Sequence, residues 1–450
     1  MYMKVHFIAI GGSIMHSLAI CLKRKGYFVS GSDDKFFNPS KENLKKENLL
    51  FKEGWFPEKI TNDLDFVILG MHAKIDNPEL KEAQKKNIKI YSFPEYIALE
   101  SKQKTRIVIS GSHGKTTITS MIMHVFKAKK IKFDYLVGAK IKGFNNQVHL
   151  SQNKVIIIEG DEYLSSKIDS KPKFLHYKPH LLVLSGISWD HINVFPTYKS
   201  YCNAFIQLLK TNSSDCKVFY PNNDQTLQQI IKNFHGFSKT YGLPDFSVSN
   251  GSFFVKYNKV KYKLSIFGNH NLYNIEAARV ICNQLGVKND FFFNSISSFL
   301  GAKNRLEFFD RINPKSAVYR DFAHSPSKVK ASIDALKDLF PKRKLISCLE
   351  LHTFSSLTFK FLSQYRNVFQ KSDRVWLFFC PKEIQNKGLD VFLNKDVLEL
   401  INHPNVQICN NLSQLVINFQ KTNWLNTNLL LMSSGNFQGL DFKKIIHSLK

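Results

Sequence analysis

The sequence predicts an α/β protein built on parallel sheets and divided into three successive domains. Three observations predict this. Short β-branched apolar runs alternate with stretches of helical periodicity along the chain. Glycine turns follow two of those runs, at Gly11-Gly12-Ser13 and at Gly111-Ser112-His113-Gly114-Lys115-Thr116-Thr117. At 450 residues the chain is long enough for about three domains of ordinary size.

The first domain, residues 1–103, opens with an apolar strand over residues 4–10, the glycine turn, and a helix over residues 14–25. A second strand at residues 27–30 closes on Gly31-Ser32-Asp33-Asp34. This β-α-β unit puts Asp33 about 20 residues after the turn, where dinucleotide folds place a ribose-binding carboxylate. The turn holds only Gly11 and Gly12, and residues 13–17 lack the later glycine of an NAD signature. A third strand, residues 65–70, ends in a loop carrying His72 and Asn77, and Pro78 stands near the start of the next helix. Residues 88–91 form a fourth strand. Such alternation implies a parallel sheet with its ligand at the strand C-termini.

The second domain, residues 104–305, begins with the most informative segment of the chain. A strand at residues 105–110 runs into the second glycine turn, and a helix over residues 118–127 follows it. Backbone N–H groups at a helix N-terminus are unsatisfied and carry partial positive charge, so polyphosphates settle there. Lys115 would reach the β- and γ-phosphates, and Thr116 or Thr117 would hold Mg²⁺. Ile109 stands where the general phosphate-loop pattern has its first glycine, so only Gly111 supplies the turn. A helix start that merely follows a glycine is the simpler alternative; the flanking strand, helix and doubled threonine favour nucleotide.

Two further strands end in polar clusters. Residues 155–158 run into Glu159-Gly160-Asp161-Glu162-Tyr163, and residues 181–184 lead to Trp189-Asp190-His191. Acidic groups at the end of an apolar strand in a nucleotide domain are where Mg²⁺ ligands belong. Asp190-His191 alone would read as a helix cap and a surface imidazole; paired with the first cluster, it points to metal and phosphate chemistry. Gly268-Asn269-His270-Asn271-Leu272-Tyr273-Asn274 then introduces a helix toward Leu285, with Asn271 and Asn274 on one face. Their amides suit a nucleobase edge, and capping by Asn269 is the alternative.

The third domain, residues 306–450, repeats the alternation, with strands at residues 316–319, 344–348, 374–379 and 428–432. Two end in polar clusters, Asp321-Phe322-Ala323-His324-Ser325-Pro326 and Ser433-Ser434-Gly435-Asn436. A doubly wound sheet with functional loops at its strand ends is expected.

Composition narrows the class. Forty-three per cent hydrophobic and 22 per cent charged residues describe a folded soluble protein. The seven cysteines are scattered without a C-x-x-C pair, so free thiols in a reducing, cytoplasmic setting are expected. No apolar run approaches membrane-spanning length. A net charge of +27 invites a nucleic-acid reading. The lysines are spread, however, and no aromatic-interleaved stacking platform accompanies them, as an A/T-rich codon bias would produce; no nucleic-acid partner is expected.

The order of these motifs resembles the Mur ligases, ATP-dependent amide-forming enzymes of peptidoglycan synthesis. Gly111 to Thr117, Glu159-Gly160-Asp161-Glu162, Asp190-His191, Gly268 to Asn274, Arg305 and Asp321 to Pro326 carry the resemblance, which spans almost the whole chain. Ile10-Gly11-Gly12 with Asn77-Pro78-Glu79 looks like the branch acting directly on UDP-N-acetylmuramate. Within it, Asp161 to Tyr163, Lys173 to Pro179 and Met432 to Gly439 look most like members attaching a ready-made L-Ala-γ-D-Glu-meso-diaminopimelate tripeptide; members attaching L-alanine are near relatives.

The resemblance implies three domains, for the UDP-sugar, ATP and the incoming amine. Gly11, Gly12 and Ser13 would cradle the UDP diphosphate, with Asp33, His72 and Asn77 beside the nucleotide sugar. Gly111, Ser112, His113, Gly114, Lys115, Thr116 and Thr117 would bind ATP, with Thr116 or Thr117 and Glu159 on one Mg²⁺, and His191 with Glu159 on a second against the substrate carboxylate. Asn271 would read adenine, Arg305 the γ-phosphate, and Asp321 and His324 the ATP from the third domain. Lys115, His191 and Arg305 would be catalytic. Small-molecule substrates and a monomer or weak homo-oligomer are implied. Departures from the family pattern fall at Gly186, Ser188, Asn304, Arg320 and Thr353, touching amine contacts and metal-shell detail.

Two other classes stay open at this level. One is a nucleic-acid-stimulated phosphate-loop ATPase, which the charge suggests. The other is an NAD-dependent dehydrogenase, which the first β-α-β unit suggests but which leaves Lys115 and Glu159 without a role. A folylpolyglutamate synthase would share the ATP loop without needing the UDP-type first domain.

Overall fold

A computed structural model gives the structure of residues 2–189, 194–249, 252–301 and 305–449. The fold is α/β, with four sheets among the described residues. The chain separates into two compact units: Met1–Ile187 with Thr197–Gly242 and Ala277–Val287, and Ser188–Pro196 with Leu243–Glu276 and Lys288–Lys450.

The first unit holds two sheets. One comprises β1 (Lys4–Ile8), β2 (Phe28–Ser32), β3 (Phe66–Leu69) and β4 (Ile90–Ser92), in the order β2-β1-β3-β4 and wholly parallel. All four residues of β3 are buried, which is why an unbroken Phe-Val-Ile-Leu run suits it. The other comprises β5 (Thr105–Ser110), β6 (Asp134–Leu136), β7 (Val148–His149), β8 (Val155–Glu159), β9 (Leu181–Leu184), β10 (Lys217–Pro221) and β11 (Ser238–Tyr241). Their order is β11-β10-β9-β5-β8-β6-β7, parallel except for the β6–β7 pair. β5 therefore lies between β9 and β8, with Ile109 opposite both Val183 and Glu159. That register brings the loops after all three strands to one edge.

The second unit holds a three-stranded antiparallel meander, β12 (Phe246–Ser249), β13 (Ser252–Tyr257) and β14 (Val260–Leu264). Nothing in the sequence reading anticipates it, because its strands bury few residues, only Phe253 and Val255 in β13 and Leu264 in β14. The last sheet comprises β15 (Glu307–Asn313), β16 (Ser316–Asp321), β17 (Lys344–Glu350), β18 (Arg374–Phe378), β19 (Val406–Cys409) and β20 (Thr427–Met432), in the order β15-β16-β20-β17-β18-β19. Five strands are parallel; β15 joins β16 as an antiparallel edge. Two apolar clusters, one containing Tyr365 and Phe369 and the other Trp376 and Phe419, hold this sheet.

All seven cysteines are unpaired. Among the described residues no helix is long and apolar enough to cross a membrane.

Candidate functional site

The turn after β5 is built so that only glycine fits at its first position. Gly111 has φ +125°, and a Cβ there would stand 2.5 Å from Ser185 Oγ, 2.8 Å from Ser185 N and 2.9 Å from Gly186 O. The wall it meets is the segment after β9, where Ser185 N donates to Ser110 O at 2.8 Å and Ser112 N donates to Gly186 O at 2.9 Å. Ser185 Oγ also donates to His113 O. Gly114, at φ +77°, caps the helix Lys115–Ala128 in the left-handed conformation, which costs glycine little. Strand, turn and helix thus form a pinned cradle at a helix N-terminus.

Acidic groups from the end of β8 face this cradle. Lys115 Nζ lies 2.8 Å from Glu162 Oε2, 2.8 Å from Gly111 O and 3.8 Å from Asp161 Oδ1. Thr116 Oγ1 donates to Glu159 Oε1 at 2.7 Å, and Gly138 N donates to Glu159 Oε2 at 2.7 Å. Tyr201 OH bridges Ser112 Oγ at 2.8 Å and Glu162 Oε1 at 3.2 Å. Burial opposes charge on Lys115, but Glu162, Asp161 and Glu159 outweigh it and raise its pKa, so the ammonium stays charged. Burial raises the Glu159 pKa and the Asp161 charge adds to this, while Gly138 N–H, Thr116 and Lys115 pull it down.

Lys115, Thr116 and Glu159 therefore converge, with Ser112 and Gly111 behind them. Thr117 is buried in the same first turn, but Thr116 is the threonine whose hydroxyl meets Glu159. Asp190 and His191 lie outside the described residues. Glu162, Tyr201 and Ser185 were not singled out individually by the sequence. The acidic run after β8 was a signal for Glu162, whereas no local pattern marks Tyr201 or Ser185. The donor set fits the groups the motif implies. A cradle that a Cβ would fill leaves backbone room for phosphate, and hydroxyl and carboxylate oxygens at Thr116 and Glu159 suit a hard cation such as Mg²⁺.

The first glycine turn has a different character. Gly11 N donates to Asp33 Oδ2 at 2.7 Å, and a Cβ on Gly11 would lie 2.9 Å from that oxygen. Burial lifts the Asp33 pKa from 3.8 to about 6, helped by Asp34 beside it and opposed by the Gly11 N–H. Gly12 follows within the turn and Ser13 is exposed. His72 is exposed in the loop after β3. Asn77 is buried and caps the helix Pro78–Lys85, its Oδ1 accepting from Glu79 N at 3.0 Å and Leu80 N at 3.1 Å.

The second unit carries the remaining candidates. Asn271 and Asn274 share a face of the helix Asn269–Gln284: Asn271 Nδ2 donates to Phe267 O at 2.9 Å and Asn274 Nδ2 to Asn271 Oδ1 at 3.3 Å. The Arg305 guanidinium lies 4.8 Å from the Phe322 ring centroid, and His324 meets the same ring edge-on at 5.3 Å. Asp321, at the end of β16, accepts from Ser332 Oγ. His324 Nδ1 lies 2.8 Å from Phe322 O. Of the departures, Gly186 supplies the carbonyl that receives Ser112 N–H, and Thr353 Oγ1 caps the turn at Ser356 N at 3.1 Å.

With this geometry in place, residues 4–105 match the catalytic domain of the Mur ligase family and residues 109–282 match the Mur ligase middle domain. The chain is similar to the UDP-N-acetylmuramate–L-alanine ligase of Aquifex aeolicus, 30% identical over 371 residues covering 80% of both proteins. It is also similar to the UDP-N-acetylmuramate–L-alanyl-γ-D-glutamyl-meso-2,6-diaminoheptandioate ligase of Haemophilus influenzae, 26% identical over 99% of both. Among solved structures, a murein peptide ligase from Psychrobacter arcticus shares the fold with a TM-score of 0.68 and 20% identity, covering 99% of this chain and 98% of that one.

Proposed function

We propose an activity for this chain, which belongs to the Mur ligase family: ATP-dependent joining of the lactyl carboxylate of UDP-N-acetylmuramate to the amino group of L-Ala-γ-D-Glu-meso-diaminopimelate. Members of the family are amide-forming, ATP-dependent ligases of peptidoglycan synthesis. The convergence of Lys115, Thr116 and Glu159 on one pinned turn carries the proposal for this chain. The tripeptide as acceptor is supported by the similarity to the Haemophilus influenzae ligase, which extends over 99% of the chain. L-alanine is the second reading, favoured by the higher identity to the Aquifex aeolicus enzyme over a shorter span.

A carboxylate is a poor electrophile. In the proposed reaction one of its oxygens attacks the γ-phosphorus of ATP, ADP leaves, and an acyl phosphate forms. The amine nitrogen then attacks the acyl carbon, inorganic phosphate departs, and the nitrogen loses a proton as the amide forms. The Lys115 ammonium would hold the phosphates in line and offset charge on their oxygens, a role that Arg305 would share at the γ-phosphate. Mg²⁺, held by Thr116 and Glu159, would supply further neutralisation of phosphate charge. Gly111 to Gly114 would bind the phosphate chain through backbone N–H groups. Asn271 would face adenine, with Asp321 and His324 contributing from residues 306–450. His191 is assigned a second metal on its sequence alone.

The division of labour proposed is residues 1–103 for the UDP-sugar, through Gly11, Gly12, Ser13, Asp33, His72 and Asn77, residues 104–305 for ATP and residues 306–450 for the amine. Asp33 accepts the Gly11 N–H, so a diphosphate bound at that N–H would take the place of its carboxylate. Seven unpaired thiols support a cytoplasmic location. The acceptor is tested by giving the purified protein ATP, Mg²⁺ and UDP-N-acetylmuramate with either the tripeptide or L-alanine. At least a tenfold higher kcat/KM is expected for the tripeptide; a preference for L-alanine would replace the first reading by the second.

A further inference from the structure

A cavity of about 750 Å³ lies in the first unit, where the C-terminal ends of the helices Met15–Arg24 and Lys115–Ala128 approach β6 and β7. Its volume is that of a small-molecule pocket. The phosphate turn stands at the other end of the 14-residue helix, about 20 Å away along its axis. The glycine turn at Gly11 likewise stands at the far end of Met15–Arg24. The cavity therefore belongs to neither of the sites described above.

One wall is aromatic. Tyr135 and His149 stack with centroids 5.7 Å apart and planes 26° from parallel, and Phe144 meets Tyr135 edge-on at 5.3 Å. The His149 side chain is half exposed, which leaves its outer face open to a planar ring. The rim is cationic, with five basic side chains and no carboxylate lining the cavity. Arg24 is paired with Glu47 and Lys25 with Glu100, and Lys127 Nζ donates to Gly143 O at 3.0 Å. Lys130 and Lys132 are exposed and meet no carboxylate among the described residues. Behind the aromatic wall, Asp134 is fully buried and engaged by Lys104 at 2.8 Å, although its other oxygen lies 3.9 Å from His149.

A simpler explanation covers part of this. Helix C-termini carry partial negative charge and attract basic residues, which accounts for Arg24 and Lys127 in the last turns. It does not account for Lys130 and Lys132, which lie beyond the helix end and flank a stacked aromatic wall. A stacking face beside paired ammonium groups is the chemistry of a base and a phosphate, because aromatic faces accept any base and lysines act as point charges on phosphate.

We infer that this cavity binds a nucleoside phosphate, its base stacked on His149 and its phosphate held by Lys130 and Lys132. The test is calorimetric titration of the full chain with GMP, and separately with inorganic pyrophosphate, in the presence of saturating AMP-PNP, Mg²⁺ and UDP-N-acetylmuramate. The expected result is one further equivalent of GMP, weakened at least tenfold by Lys130→Glu with Lys132→Glu and several-fold by His149→Ala, with pyrophosphate at least tenfold weaker than GMP. No further equivalent, binding unmoved by these surface substitutions, or pyrophosphate binding as tightly as GMP would overturn it. The readout is binding, so it stands or falls independently of ligase turnover.

Discussion

The Lys115 ammonium and the Glu162 carboxylate form a pair at 2.8 Å in which the glutamate is fully buried and the lysine is only 11% exposed. The pair holds the lysine at the phosphate turn. Lys115→Ala removes the cation from three carboxylates at once, so loss of activity and loss of stability are both expected. Turnover should fall by at least about a hundredfold, the scale of deleting one preorganised charge-stabilising group. Ligand-free stability should fall by about 3–5 kcal/mol, as when one partner of a buried pair is removed. Steady-state ADP release and denaturant unfolding measure the two.

Gly111→Ala tests the cradle itself. The new Cβ would meet Ser185 and Gly186 atoms at 2.5 to 2.9 Å in a φ of +125° that L side chains rarely adopt. Backbone strain alone costs about 1–3 kcal/mol, and relief requires the wall after β9 to shift. Nucleotide affinity should fall at least tenfold by calorimetry, whereas Gly286→Ala, at φ +76° with open space around it, should leave affinity unchanged.

Asp33 gives a pH prediction. Its pKa is raised by burial from 3.8 to about 6, so the folded protein takes up this proton at a higher pH than the unfolded chain does. The contribution to stability is therefore gained as pH falls from about 6 toward 4, and lost as pH rises through about 6. Asp33→Asn keeps an oxygen for Gly11 N–H but cannot titrate. The difference in thermal midpoint, wild type minus variant, should grow as pH is lowered across that window; a flat difference would contradict the raised pKa.

Arg305 separates activity from stability. Its guanidinium rests on the Phe322 ring at 4.8 Å, a contact worth about 0.5–1 kcal/mol at a partly exposed site. Arg305→Ala should leave the thermal midpoint within a few degrees of wild type while lowering kcat at least about a hundredfold. A variant with near-normal kcat would remove Arg305 from the γ-phosphate.

Local chemistry was legible in the sequence and long-range partnership was not. β5, the turn at Gly111 and the helix Lys115–Ala128 could be read because all their signals lie within a few turns of chain. The pairing of Lys115 with Glu162 depends on β5 and β8 being neighbours, with Ile109 opposite Glu159; the sequence offered only an acidic run. Ser185 and Tyr201 carry no pattern because they act as walls set by the fold. Asn77, proposed for the nucleotide sugar, also caps a helix through its Oδ1, a use that Pro78 at the first helical position already signalled. The meander β12 to β14 escaped because its strands bury at most two residues each and lack the unbroken buried runs that marked the parallel strands.

The most direct test is mass analysis of the products formed by the purified protein from ATP, Mg²⁺, UDP-N-acetylmuramate and the tripeptide. One UDP-N-acetylmuramoyl-tripeptide per ADP and phosphate is expected, with no ADP released when either UDP-N-acetylmuramate or the amine is withheld, and none from the Lys115→Ala variant. ADP release that ignores the UDP-sugar, or a product without a new amide bond, would contradict the assignment.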